Sequence, residues 1–147
     1  MKKAEIKQVL DALKTLKMPK IADKELRNII IKNHLKLLGE QKKFHLQADD
    51  LVTAFMSAYE PEQNVVVTLE AKLRSEKDAD KQKELIAEIE THKDYLEAVK
   101  ACNDESNALG REKVEIELID GEKFVEAYQE QDEFSLATVE ALYPMFK

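Results

Sequence analysis

Two seven-residue ladders run side by side through residues 26–59, and no other feature limits the fold so tightly. One is Ile30, Leu37, Phe44 and Leu51; the other is Ile31, Leu38, His45, Val52 and Tyr59. Steps of three, four and seven share a helix face, so the ladders are expected to merge into one broad apolar stripe. Such a stripe needs a partner. Leu85, Ile89, His92, Leu96 and Val99 offer one, with steps alternating four and three as in a coiled-coil seam. The pattern predicts a mostly α protein: a long antiparallel helical hairpin over about 21–110, with short N- and C-terminal helices. The 147 residues are enough for a single domain, with a small α+β segment over 111–147.

Composition agrees. Three Gly, three Pro and 36% charged residues favour helix over sheet. Residues 3–17 carry Ile6, Val9, Leu10, Leu13 and Leu16 at helical steps, an amphipathic helix rather than a signal peptide. Met18-Pro19 ends it, because the residue before proline is pushed out of helical geometry. Asp23 suits the N-cap of the next helix. Within that helix, Gly39 and the Asp49-Asp50 pair are the weak points. Glu60-Pro61-Glu62 reads as a turn, with Pro61 in the first turn of a new helix. Val65, Val66, Val67 and Thr68 favour strand by type, but Val65 or Val66, Leu69 and Leu73 fall at helical steps, and helix is the reading. At 77–80 either the helix continues fully solvated, or Asp78 or Asp80 caps a new one; from Lys81 to about Leu109 helix is the reading, ended by Asn107 and Gly110.

After Gly110 the period changes to two. Val114, Ile116 and Leu118 alternate with Glu115 and Glu117, which predicts a strand near 114–119. Asp120-Gly121 resembles a hairpin turn, followed by Phe124, Val125 and Tyr128 as a returning strand or a short helical turn. The strand needs a partner: the 123–128 segment, the valine run, or another subunit. Ser135 is placed to cap a last short helix over 136–143, stopped by Pro144. Residues 129–134 read as a mobile loop.

Charge narrows the function classes. The net charge is −7, split as +7 over 1–47, −8 over 48–110 and −6 over 111–147. Either the basic first part lies against acidic later parts, or the polarity steers a charged partner. Cys102 is the only cysteine, so no intramolecular disulfide or thiolate cluster can form, and a buried small hydrophobe is its expected role. No run approaches the ~20 apolar residues needed to cross a bilayer, so no membrane partner is expected. His34 and His45 lie eleven residues apart on one helix, roughly 16 Å along its axis, too far to share a metal. No His-Glu-x-x-His motif and no glycine-rich phosphate loop occurs. The lysine-rich start lacks interleaved aromatics, which argues against a nucleic-acid partner. No catalytic, cofactor-binding or metal residue is assigned, and an enzyme using carboxylates or histidines is the least favoured reading.

The order of features resembles a family of small uncharacterised proteins of tailed bacteriophages and prophages. The residues that carry this are Met18-Pro19-Lys20-Ile21-Ala22, then Asn33, Leu35, Leu38 and Glu40. They continue in Val114-Glu115-Ile116-Glu117-Leu118 and in Ala137-Thr138-Val139-Glu140-Ala141-Leu142-Tyr143-Pro144-Met145. The resemblance spans most of the chain in order, except 60–80. It implies a phage origin, the bacterial host cytoplasm or a virion as location, and an interaction role rather than a reaction. The expected function is a non-enzymatic virion accessory, assembly chaperone or adaptor with a phage or host protein partner, and homo-oligomers are open to it. The alternative is an inhibitor of a host enzyme or defence system whose acidic C-terminal segment imitates nucleic acid. Glu115, Glu117, Glu122 and Glu126 are the expected partner-binding residues.

Overall fold

The computed structural model describes residues 1–128 and 135–147; the loop expected at 129–134 lies outside them. The described residues are mostly helical. In chain order the α-helices are α1 (Ile6–Thr15), α2 (Lys24–Ser75), α3 (Ala79–Glu90), α4 (Lys93–Arg111), α5 (Gly121–Ala127) and α6 (Leu136–Leu142). The chain divides into two compact units. The first combines Met1–Leu46 with Leu109–Lys147, and the second is Gln47–Ala108.

The first unit holds the larger core. Ile6, Val9, Leu10 and Leu13 of α1 are buried, as their helical spacing requires. They pack with Ile21, Ile30 and Leu37 and with Val114, Ile119, Phe124, Leu142 and Met145. Ile30 and Leu37 therefore lie in this core, not in a seam with Leu85–Val99. The second ladder is not buried with the first: Ile31, Leu38 and Val52 are exposed. Adjacent positions on a helix point about 100° apart, and here a single face is covered. Asp23 caps α2 as expected, its Oδ1 accepting from the Leu26 N–H at 3.1 Å.

Residues 114–118 form no strand; among the described residues there are isolated bridges only. The backbone needs of this segment are met in three places. At its start, the Val114 N–H donates to the Met1 carbonyl at 2.8 Å, within an antiparallel bridge of Lys2 with Lys113. At its end, the Ile119 N–H donates to the Met145 carbonyl and the Lys147 N–H donates to the Ile119 carbonyl, both at 2.9 Å. In the middle stands Asn33. Its Nδ2 donates to the Glu117 carbonyl at 2.7 Å, and its Oδ1 accepts from the Glu117 N–H at 3.2 Å. One amide side chain thus meets both backbone groups of Glu117, as a neighbouring strand would.

The hairpin expected at Asp120-Gly121 is a helix start instead. The Asp120 carboxylate accepts from the N–H groups of Glu122 and Lys123, and 121–127 winds into α5. Gly121 leaves room for a close approach: a Cβ there would stand 3.2 Å from the Phe146 ring, tighter than an ordinary contact. Ser135 caps α6, and α6 packs on α1.

In the second unit, α2 passes through Glu60-Pro61-Glu62 without a turn. Pro61 has no N–H for the Ser57 carbonyl, a cost the strong helix formers around it and the packing of Phe55, Tyr59, Val66 and Leu69 outweigh. The valine run is helical, with Val66 buried. Asp78 caps α3, accepting from the N–H groups of Asp80 and Lys81. The helix expected over 81–109 is broken at Thr91-His92 into α3 and α4, and α4 continues through Gly110 to Arg111. Thr91 is a poor interior helix former, and its hydroxyl donates to the Glu88 carbonyl at 2.6 Å, which closes the turn. Tyr95 is buried against Phe55 and Tyr59, with ring centroids 5.9 and 6.3 Å away.

Candidate interaction site

The first unit brings two of the four expected glutamates together. α5 places Glu122 and Glu126 one turn apart on the same face, because residues at i and i+4 stack along a helix. They line a groove of about 680 Å³ together with Val125, Val139, Tyr143 and Phe146. Asp120 adds a third carboxylate to the lining, and Lys147 a single cation. Tyr143 is largely exposed, so its ring is presented at this groove rather than spent on the core. The other two glutamates lie elsewhere. Glu117 lines a smaller cleft of about 260 Å³ with Asp23, Glu25, Lys123 and Lys147. Glu115 is exposed and lines neither.

The charge polarity resolves by unit. Residues 1–46 carry +7 and residues 109–147 carry −6, so the first unit has a net +1. The basic start and the acidic end of the chain thus fall in one unit, as when opposite charges offset each other. The Lys3 ammonium pairs with the Glu112 carboxylate there. Glu40 is held below the usual carboxylate range, first by the hydrogen bond from Lys43, against some burial, and then by the charges of Lys43, Lys3 and Lys36. The second unit keeps −8 with no such offset.

The histidines stay apart from any shared ligand set. His34 is half-buried, His45 is exposed beside the Phe44 ring, and His92 Nδ1 lies 3.6 Å from Glu62 Oε2. Among the described residues, no group of three or more His, Cys, Asp or Glu side chains could hold a metal ion. Cys102 is half-buried on α4. Tyr95 has its phenol pushed above the ordinary tyrosine range, chiefly by burial and then by the charge of Glu70. No described helix is long and apolar enough to cross a membrane.

Asn33 is the residue that sequence periodicity passed over. It interrupts the apolar face at Ile30, Asn33 and Leu37, steps of three and four. A polar amide inside such a face signals a buried hydrogen-bonding task. Comparison with protein-family models, with curated proteins and with solved structures finds no match to this chain.

Proposed function

We propose that this protein is a non-enzymatic interaction protein of a tailed phage or prophage: a virion accessory, assembly chaperone or adaptor that docks a phage or host protein. The observation that carries the reading is the groove beside α5, lined by Val125, Val139, Tyr143 and Phe146 and by Glu122 and Glu126. An apolar lining supplies affinity, and three carboxylates against one cation favour a partner of positive charge. A partner segment with apolar anchors and flanking lysines or arginines fits that description. The phage origin rests on the resemblance of the sequence motifs, and places the protein in the host cytoplasm or on the virion. We also take the second unit as an antiparallel hairpin, a reading supported by Tyr95 beside Phe55 and Tyr59, with His92 beside Glu62.

The test is affinity capture from phage-infected cells with the tagged full chain, beside a Glu122→Lys/Glu126→Lys variant. A phage or host protein held by the native chain and lost by the variant supports the proposal. Capture of nothing, or capture indifferent to the two reversals, sinks it. A second reading is favoured by one observation, the uncompensated −8 of the second unit. A helical body with that charge suits a basic cleft that ordinarily takes nucleic acid, as an inhibitor of a host enzyme requires. In that case the acidic residues of 47–108, not Glu115 and Glu117, would be the ones whose neutralisation relieves inhibition.

A further inference from the structure

Opposite its core side, α2 carries a second apolar face that is exposed. In the first unit, Ile31, Leu35, Leu38 and Leu46 are all exposed, with Leu35 at 66%. Their spacing of four, three and eight puts them on one face, turned away from buried Ile30, Asn33 and Leu37. Gly39 borders this face. A Cβ at Gly39 would meet nothing within 4 Å, so no contact inside the chain asks for glycine there. Glycine is a poor interior helix residue, and its use on an exposed apolar face suits the close approach of another backbone. Lys32 and Lys42 are the exposed charges on this face.

The second unit carries the complement. On its part of α2, exposed Val52 and Val67 and half-buried Met56 recur at helical steps, with exposed Asp49 and Glu60 between them. The charge of α2 therefore reverses along its length, +4 over 24–46 and −3 over 47–75. Two copies of such a helix repel when parallel and attract when antiparallel. We propose that the Ile31–Leu46 face of one copy is covered by the Val52–Val67 face of a second copy, with the two α2 helices antiparallel. The face that carries Lys32 and Lys42 in one copy then lies along the α2 segment that carries Asp49 and Glu60 in the second copy, and Gly39 marks where the helices come closest. This deepens the interaction role by naming a partner, a second copy, at a surface distinct from the groove beside α5.

Light scattering on the purified full chain over a range of concentrations, at low and high salt, tests it. A dimer is expected, and it weakens as salt rises. Leu35→Lys should raise its dissociation constant about tenfold or more, as should Lys32→Glu/Lys42→Glu. Mixing that charge-reversed chain with Asp49→Lys/Glu60→Lys should restore a dimer of one copy of each, which a general loss of folding would not do. Circular dichroism of each variant alone should match the native helix content, since the altered side chains are exposed. A monomer at every concentration overturns the proposal, as does a dimer indifferent to both Leu35→Lys and the reversals. Capture of a phage or host partner through Glu122 and Glu126 would survive that result, so the two ideas fail separately.

Discussion

Asn33 is 3% exposed and answers for the extended stretch before α5. A buried backbone N–H and C=O without partners cost more than the hydrogen bonds themselves gain, because both groups have left water. Asn33→Leu fills similar space and strands both groups of Glu117. Urea denaturation is expected to show a loss of about 1–3 kcal/mol. A loss below measurement would mean that water reaches Glu117 in the native protein. Tyr95 makes a pH-dependent contribution. Its folded-state phenol is raised above the ordinary value of roughly 10, so the folded state holds that proton more tightly than the unfolded chain does. The contribution is complete below the ordinary value and is lost as pH rises through and beyond it. Native stability should fall at alkaline pH, and Tyr95→Phe should flatten that fall; an unchanged slope would remove Tyr95 as its cause.

At the scale of elements, the long helix α2 persists past residues that ought to end it. Pro61 removes one hydrogen bond and crowds the preceding turn, yet Lys24–Ser75 is continuous. Pro61→Ala is expected to raise stability by about 1–2 kcal/mol, the helix gain less the freedom returned to the unfolded chain. Thermal denaturation measures it, and a lowered midpoint would show that Pro61 serves the packing. The break at Thr91-His92 is the opposite case: no proline or glycine marks it in the sequence. The local signal there is weak, and the packing of Tyr95 against Phe55 and Tyr59 goes with the two-helix solution. Near 77–80 the sequence left a continuous helix, a cap at Asp78 and a cap at Asp80 all open, and the structure takes Asp78, whose carboxylate accepts from the next N–H groups.

Across the whole molecule, the core is divided. Met145, fully buried in the first unit, joins α1, α2 and the 114–119 segment in one cluster. Met145→Ala should cost about 2–5 kcal/mol through lost burial and the cavity left behind. Hydrogen exchange should place the loss in 1–46 and 109–147 first, with amides around Tyr59, Val66 and Tyr95 less affected. Equal loss in both units would mean that they open as one.

The sequence by itself determined the helical class, the amphipathic face of α1, the caps at Asp23 and Ser135, and the presence of an apolar stripe on α2. Each of these is local: it depends on residues within about two turns of one another. What covers that stripe was decided only in three dimensions. Ile30 and Leu37 found α1 and the chain's last residues rather than Leu85–Val99, and Val114 found Met1 across 113 positions of the chain. Glu122 and Glu126 came to share a groove with Val139 and Phe146, while Glu115 and Glu117 did not, because 121–127 took the helical one of the two forms open to it. Periodicity says that a surface must be buried, but burial is non-directional and accepts any apolar partner of suitable shape. Only the packed chain selects which one.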